Sequence, residues 1–264
     1  MVEHQFRTVW VSDVHLGTLQ CRAGALDAFL KSFKSDTLFL VGDIIDGWYI
    51  KANGWYWPST HNSVVRRILK KTEKQNTRVW YVTGNHDEFL REYVDEHILA
   101  LGNIEIVNER VHHTVDGRRL WIVHGDHYDV VLKHYKVIEL FGDIAYAAIT
   151  WSDRQYDFFR RKLGWPRASL VKFVKKNIRL VDEFTDKFEK AVSDEAHKRG
   201  FDGVVCGHIH RAMKRQIGEV EYWNCGDWVD SCTAVVEDYN GKLSVVEWSE
   251  QEDGTYQLKT LFSE

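Results

Sequence analysis

The chain has 264 residues, of which 44% are hydrophobic and 28% are charged, and its formal net charge is −4. That length is enough to bury a full core, and the balance of apolar and charged residues excludes a disordered tail. No apolar run reaches the roughly 20 residues that a membrane-spanning helix needs, so we expect none. The first residues show no basic stretch followed by an apolar one, which predicts a cytoplasmic protein without a secretory signal.

The first half of the chain alternates strand and helix patterns. Residues 6–12, the fully apolar run 37–41 and residues 78–83 predict strands, with the second buried on both faces. Helices are predicted near 24–33 and 62–74, and another begins after Asp87. An aromatic loop is expected from Trp48 to Trp57. Further on, residues 111–115 and 120–123 flank Asp116-Gly117, which is a two-residue hairpin signal.

The second half begins with a long helical pattern and ends in strands. Residues from about 128 to 199 show no strong strand signal and are interrupted near Gly164. This stretch is too long for a crossover, so we predict a helical cap inserted into a single domain of residues 1–264. Strand patterns then resume at 203–206, 212–217, 220–224, 233–237 and 243–248.

These patterns together predict the fold class. An α/β first half followed by antiparallel strands indicates an α/β (α+β) fold in which two mixed sheets pack face to face with helices outside. The four cysteines, Cys21, Cys206, Cys225 and Cys232, show no C-x-x-C spacing. In a cytosolic chain they are expected to be free side chains and not a disulfide framework.

Five short polar motifs follow predicted strands, where open α/β sheets hold their ligands. They bring carboxylate, imidazole and carboxamide groups to one edge. Two divalent cations about 3.5–4 Å apart, which share one carboxylate, can promote hydrolysis of a phosphate ester. The motifs are Asp13-Val14-His15, Gly42-Asp43-Ile44-Ile45-Asp46, Gly84-Asn85-His86-Asp87, His124-Gly125-Asp126 and Gly207-His208-Ile209-His210.

Each motif alone has a simpler interpretation. Asp13 and His15 would point to the same side if the extended strand continued, but D-x-H occurs by chance in many chains. Asp43 after Gly42 also fits a helix cap or a turn. A lone histidine after a strand, such as His124, is more often a core residue. All five motifs recur in one chain with the same placement, and together they predict a metal centre.

The residue types also indicate which ions and roles fit. Mixed Asp, His and Asn ligation suits Mn²⁺, Fe²⁺ or Zn²⁺ and argues against Ca²⁺ or an all-thiolate zinc site. Asn85 can offer a neutral carbonyl oxygen to a metal that already has carboxylate ligands. That leaves His86 for acid–base work.

The ordered motifs D-x-H, G-D-x-x-D, G-N-H-D, H-G-D and G-H-x-H resemble those of the calcineurin-like metallophosphoesterases. The resemblance spans Asp13 to His210 and implies an αββα sandwich. It implies that His86 donates a proton to the leaving oxygen and that Asp46 orients it. It also implies a ligand partition: Asp13, His15 and His210 on one ion, Asn85, His124 and His208 on the other, and Asp43 bridging.

Within that family the chain resembles the UDP-2,3-diacylglucosamine pyrophosphatases of lipid A synthesis. The shared features are the length, the extension of H-G-D to Tyr128-Asp129, the helical insertion and Gly226-Asp227-Trp228. The resemblance implies a Mn²⁺-dependent enzyme at the cytoplasmic face that forms UMP and a lipid phosphate. That group typically carries arginine at the position of His86, so the motif here has the general phosphoesterase form.

The predicted cap is strongly basic. Between Arg154 and Arg179 nine positive residues accompany one negative residue, Asp157. Together with the aromatic residues of this stretch, Arg160, Arg161 and Lys162 are expected to contact substrate or anionic lipid headgroups, which predicts peripheral membrane contact. A solvated helix face is the simpler alternative. No nucleic-acid partner is expected, because no recognition motif accompanies the basic residues.

Trp48 lies just past Asp46 and is predicted to contact substrate, by stacking on a nucleobase or by forming an apolar wall for acyl chains. Simple core packing is the alternative. Two further functions stay open: a phosphomonoesterase or phosphodiesterase acting on another phosphate, and a phosphoesterase fold reused as a binding module. Loss of ligands would mark the binding module, and no ligand is missing from this sequence.

Overall fold

A computed structural model describes residues 4–96, 99–101, 104–128 and 179–264 of the chain. The helices are α1 (Ala23–Ser32), α2 (Gly47–Asn53), α3 (Ser59–Gln75), α4 (Arg91–Glu96) and α5 (Arg179–Lys198). The strands are β1 (His4–Val11), β2 (Phe33–Val41), β3 (Arg78–Val82), β4 (Leu99–Leu101), β5 (Ile104–Val107), β6 (Glu109–His113), β7 (Arg119–Val123), β8 (Gly203–Cys206), β9 (Met213–Ile217), β10 (Val220–Asn224), β11 (Thr233–Glu237), β12 (Leu243–Glu250) and β13 (Tyr256–Ser263).

The larger sheet has eight strands in the order β13-β12-β11-β1-β2-β3-β5-β4. Its centre is parallel, because β1, β2, β3 and β5 pair in one direction, while β11 to β13 add an antiparallel margin. The last four residues of β1 and of β2 are all buried. A fully apolar strand end of this kind is typical of a sheet that is covered on both faces.

The smaller sheet has five strands in the order β6-β7-β8-β10-β9. β6 and β7 form an antiparallel hairpin, whereas β7, β8 and β10 run parallel. The predicted hairpin is present, but its turn is longer than the two residues expected. The Thr114 amide bonds to the Arg118 carbonyl, and Gly117 between them has a φ of 90°. A left-handed glycine at this point is common in three-residue hairpin loops.

Two apolar clusters divide the core. One packs α1 and α3 against a face of the larger sheet and includes Phe29, Leu40 and Trp228. The other lies between the two sheets, where Trp10 and Phe39 face residues such as Ile122. The Trp10 and Phe39 rings stack at 5.8 Å. The prediction of two mixed sheets packed face to face, with helices outside, is therefore confirmed.

Some local predictions were wrong. The aromatic segment was expected to be a loop, but its first part forms α2, which is capped by the Asp46 side chain at the Tyr49 amide. β4, β5 and β13 were not predicted. The cysteines were correctly expected to be free, and three of the four are buried: Cys206, Cys225 and Cys232.

The chain divides into two compact units, Met1–Asp126 with Val192–Glu264, and His127–Ala191. Most of the predicted cap, including Arg160, Arg161 and Lys162, lies outside the described residues, so the cap stays a prediction. Among the helices of the described segments, none is both long enough and apolar enough to cross a bilayer.

Candidate metal centre

The predicted metal ligands lie just beyond the carboxyl ends of five strands drawn from both sheets. β1, β2 and β3 run parallel in one sheet, and β7 and β8 run parallel in the other. Parallel strands bring their carboxyl ends to one edge, where the following loops meet. The ligand atoms in each of three overlapping groups lie within 4.8 Å of one another: Asp13, His15 and His210; His15, Asp43 and His86; and Asp43, His124 and His208.

The first group joins the loop after β1 to the loop after β8. Asp13 Oδ1 lies 3.2 Å from His210 Nε2, which lies 3.4 Å from His15 Nε2. The His208 amide donates to Asp13 Oδ2 at 3.0 Å and holds the two loops together. His15 Nδ1 lies 2.9 Å from Asp46 Oδ2. A proton held on Nδ1 by that carboxylate leaves Nε2 free to bind a metal.

The second group is built around Asp43. Its Oδ2 lies 3.2 Å from His124 Nε2 and 4.0 Å from His15 Nε2, so one oxygen faces ligands of both groups. Its Oδ1 accepts the backbone N–H of His86 at 2.8 Å. The His124 and His208 ring centroids are 5.2 Å apart. Asp43 is therefore the residue that could be shared between two bound ions.

Three buried atoms at this site have no hydrogen-bond partner within the described segments: Asn85 Oδ1, His86 Nδ1 and His124 Nε2. His124 Nε2 is close to Asp43, but the contact does not have the direction of a hydrogen bond. His124 Nδ1 lies 2.9 Å from the Val41 carbonyl, which fixes the ring proton on the far side. Buried polar atoms are almost always paired, so unpaired atoms at this site indicate that a ligand binds here. The oxygen and imidazole donors fit divalent cations.

The electrostatics of the site show how strongly these groups interact. Burial raises the pKa of Asp13, but His210 outweighs burial and lowers the pKa to about 2. The pKa of Asp43 is likewise held well below its usual range, because His124 outweighs burial. Burial lowers the pKa of His124, but the Asp43 charge raises it to about 10. The carboxylates are therefore stabilised by the positive charge of protonated histidines beside them. A bound divalent ion would take the place of those protons.

The backbone of the site is left-handed at five of the seven predicted ligands. Asp13, His15, Asp43, His208 and His210 have φ between 52° and 70°. Residues other than glycine rarely adopt this conformation, and such strain clusters at functional sites. The premise that Asp13 and His15 continue an extended strand was wrong. β1 ends at Val11, and left-handed turns bring the two side chains together.

Three glycines of the motifs allow the ligands to approach closely. A Cβ at Gly42 would collide with the His124 ring, and one at Gly84 would collide with Asp43. A Cβ at Gly207 would meet the Asp13 carboxylate. Each of these three glycines thus makes room for a ligand that belongs to a different motif.

His86 and Asp46 lie beside the ligand groups. His86 Nδ1 is 3.0 Å from Asp46 Oδ2, the same oxygen that contacts His15. The pKa of Asp46 is well below its usual range, because hydrogen bonds from His15 and His86 outweigh burial. Asp46 can therefore orient both imidazoles, as the motif resemblance implies.

Trp48 lies directly on His86. The ring centroids are 4.5 Å apart, and the indole N–H donates to Glu88 Oε1 at 3.0 Å. Trp48 is 46% exposed, so part of its face is open to solvent beside the centre. The predicted substrate contact of Trp48 fits this position, whereas Arg160, Arg161 and Lys162 lie outside the described segments.

Two supporting groups were not assigned roles from the sequence. Asp87 is fully buried and accepts the amides of Gly84 and Ile44 and the hydroxyl of Tyr81, so it fixes the loop after β3. The sequence feature that could have identified Asp87 is its position in the motif G-N-H-D. Arg91 forms a bidentate ion pair with Asp126, with both N–O distances at 2.9 Å. No sequence pattern links residues so far apart.

Comparison with known proteins gave one family and several distant structures. The model of the family described as calcineurin-like phosphoesterase matches residues 6–212. No curated protein matched the chain. Among solved structures, YfcE, a phosphoesterase from E. coli, is 16% identical, with 97% of this chain and 99% of that chain covered and a TM-score of 0.46.

Two Vps29 structures are similarly distant. The protein from Chaetomium thermophilum is 12% identical, with 97% of this chain and 94% of that chain covered and a TM-score of 0.49. A single mutant from Entamoeba histolytica is also 12% identical, with 96% and 97% covered and a TM-score of 0.48.

Proposed function

The chain belongs to the calcineurin-like phosphoesterase family, and from that premise we propose that it is a pyrophosphatase acting on UDP-2,3-diacylglucosamine. It is a metal-dependent hydrolase of phosphoester or pyrophosphate bonds. The proposed products are UMP and 2,3-diacylglucosamine 1-phosphate. Mn²⁺ is the proposed metal, with Fe²⁺ and Zn²⁺ as alternatives that the same donor set accepts.

Two divalent ions, when bound, would supply Lewis-acid stabilisation of the phosphoryl oxygens as charge builds in the transition state. The chain's own residues would do the rest. Asp43 Oδ2 faces ligands of both proposed ions. His86 would donate a proton to the leaving oxygen, and Asp46 would hold the ring in the required orientation through Nδ1. A proton donor matters most when the leaving group is a poor one.

One observation carries the choice of substrate class: the half-exposed Trp48 indole lies on His86. A planar or apolar group of a substrate can stack on that indole next to the bond that His86 would help to break. The uracil ring and the acyl chains of the proposed substrate are groups of this kind. A small phosphate monoester offers neither.

A second candidate is a phosphomonoesterase or phosphodiesterase that acts on another phosphate. His86 favours it, because the pyrophosphatases of lipid A synthesis typically carry arginine there. The basic residues Arg160, Arg161 and Lys162 would serve either candidate if the phosphate is linked to a lipid.

The deciding experiment offers the Mn²⁺-loaded protein UDP-2,3-diacylglucosamine beside simple phosphate mono- and diesters. Release of UMP at a kcat/KM well above that for the simple esters supports the proposal. An Asp43→Ala variant controls for contaminating phosphatases. Rapid turnover of simple esters without UMP release would favour the second candidate.

Peripheral membrane contact through the predicted cap is part of the proposal. Reversing the charges of Arg160, Arg161 and Lys162 to glutamate should weaken binding to anionic liposomes and raise KM for a lipid substrate, since each basic residue near such a surface contributes about 1 kcal/mol. A water-soluble ester should be hydrolysed as before. If liposome binding and both KM values stay unchanged, the cap is only a solvated surface.

A further inference from the structure

His61 is a buried histidine that none of the roles above uses. It lies in the first turn of α3 and is 2% exposed. Its Nδ1 accepts the backbone N–H of Gly17 at 3.1 Å. An imidazole nitrogen that accepts an N–H must carry no proton, so the ring is neutral and its proton sits on Nε2. Burial lowers the pKa of His61, which favours the same neutral form.

Gly17 ends the loop that carries the first two predicted ligands. The turn is closed by Thr18, whose amide and hydroxyl both donate to the His15 carbonyl, at 3.2 and 2.9 Å. His15 itself is left-handed, and Gly17 has a φ of 105°. A strained turn of this kind persists only where its surroundings hold it in place.

Two sets of hydrogen bonds hold the part of this loop from Val14 to Gly17. On one side its backbone bonds to the loop after β2, through the amides of Val14 and His15 to the Asp43 carbonyl and through the Asp46 amide to the Leu16 carbonyl. On the other side the described structure gives Gly17 a hydrogen bond to α3 through His61. The second contact therefore links α3 to the loop that carries His15.

The His61 ring is fixed by the aromatic segment that precedes α3. Tyr56 and Trp57 meet it edge-on, with ring centroids at 6.0 and 5.4 Å. Trp57 also donates its indole N–H to Asn62 at 2.9 Å, so it is anchored to the same helix. These contacts leave the imidazole little freedom to turn away from Gly17.

We infer that His61 is a positioning residue for the metal centre: its Nδ1 anchors Gly17 and so sets the geometry of the turn that presents His15. Among the described residues no hydrogen bond, ion pair or ring contact joins His61 to a predicted ligand or to Asp46, so its effect on them runs through the Gly17 backbone. Mutation of residues that hold a metal ligand in place without binding the metal typically changes metal affinity by about 10- to 100-fold. The inference rests on the metal assignment of the proposed function, and it is independent of the substrate.

The test is Mn²⁺ binding to the metal-free protein by titration calorimetry, with three variants at this position. His61→Asn places an amide oxygen where Nδ1 was, so affinity should stay within about threefold of wild type. His61→Leu removes the acceptor, and His61→Gln moves it one bond further out. Both should weaken Mn²⁺ binding about tenfold or more.

A matched control separates this role from simple stability. Val64→Ala shortens a fully buried side chain of the same helix that has no bond to the loop. It should lower the melting temperature and leave Mn²⁺ affinity unchanged in the folded protein. The inference is overturned if the folded leucine and glutamine variants bind Mn²⁺ like wild type, or if asparagine binds no better than leucine.

A second measurement needs no variant. Nitrogen-15 chemical shifts of the metal-free wild-type protein, with histidine labelled, report which ring nitrogen of His61 carries the proton. We expect an unprotonated Nδ1 and a protonated Nε2. A protonated Nδ1 would overturn the inference, because that nitrogen could not accept the Gly17 N–H. Neither measurement uses a substrate, so failure of the UMP assay leaves this test intact.

Discussion

Two buried clusters of histidine and carboxylate in this molecule have opposite bonding patterns. The first is centred on Glu237, which is completely buried. Its oxygens accept from the Arg7 guanidinium at 2.7 and 2.9 Å, from the Thr8 hydroxyl at 2.9 Å and from the Val115 amide at 3.0 Å. His112 Nε2 lies 2.8 Å from the same carboxylate. Each of the two carboxylate oxygens therefore accepts at least two hydrogen bonds.

The second cluster is the candidate metal centre. There Asp43 Oδ2 and His124 Nε2 lie 3.2 Å apart without a hydrogen bond, and Asn85 Oδ1 has no partner among the described residues. Its backbone is left-handed at Asp13 and His15, whereas Thr8 and Glu237 lie in the paired strands β1 and β11.

The difference separates a structural cluster from a ligand-binding one. A saturated polar cluster stabilises the fold, because removing one partner leaves the others buried and unpaired. At the candidate metal centre Asn85 Oδ1 and His124 Nε2 have no hydrogen-bond partner among the described residues, and a bound cation would supply one. Both clusters combine a buried carboxylate with histidine, so bonding and backbone conformation are what distinguish the candidate functional site.

The largest expected effect follows from changing the shared carboxylate. Asp43→Asn should lower kcat by at least about 10³-fold, because metal stabilisation of the transition state contributes several kcal/mol. The unfolding free energy of the metal-free protein should also fall at pH 7, because the depressed pKa of Asp43 means that its carboxylate stabilises the fold above the unfolded-state pKa. Steady-state kinetics and thermal unfolding check both statements. Near-normal activity would contradict the role of Asp43.

His86→Ala tests the predicted proton donor. With a poor leaving group the rate should fall about 10²-fold or more, the usual contribution of general acid catalysis. With p-nitrophenolate as leaving group the loss should be much smaller, because that oxygen needs no proton. Comparing the two substrates measures the role directly. Equal losses on both would indicate that His86 supports the site in some other way.

Glu237→Gln should lower stability and leave activity intact. We expect a loss of about 2 kcal/mol in unfolding free energy at pH 7, since a buried carboxylate loses charged partners. Burial raises the pKa of Glu237, but His112 outweighs it and lowers the pKa below 4.5. A depressed pKa stabilises the fold above the unfolded-state value and loses that effect as pH falls through the folded-state value. The difference between variant and wild type should therefore shrink below about pH 4 in denaturant titrations.

The smallest effect is expected at Asp46, which touches both His15 and His86. In the Asp46→Asn variant the remaining side-chain oxygen can still accept the Tyr49 backbone N–H. The variant loses the oxygen that faces Nδ1 of His15 and Nδ1 of His86. Mn²⁺ affinity should fall about tenfold, the lower range for partners of metal ligands. Calorimetric titration measures it. If affinity is unchanged while the rate falls, Asp46 serves His86 alone.

Much of the fold could be predicted from sequence, because its strands have strong local patterns. The apolar run 37–41 and the residues near 203–206 were recognised as strands from hydrophobicity alone. β13 was missed because its residues alternate around exposed polar positions, and its backbone pairing with β12 defines it. α2 was missed because it is short and its start depends on a cap from Asp46.

The candidate site was predictable in its residues and not in its geometry. Side-chain chemistry and spacing led to Asp13, Asp43 and His124. The left-handed backbone of the ligand loops has no sequence signature at aspartate or histidine, so extended geometry was assumed. The supports Arg91 and His61 were missed for another reason: they act across 35 and 44 residues of sequence, which no local pattern can show.

The most direct test of the account is the number of Mn²⁺ ions bound per chain, measured by equilibrium dialysis with elemental analysis at saturating metal. We predict two ions for the wild-type protein and fewer for Asp43→Ala, because one carboxylate oxygen faces both groups of ligands. Glu237→Gln should still bind two. A wild-type value of one or none, or two ions in the Asp43→Ala variant, would contradict the two-metal centre.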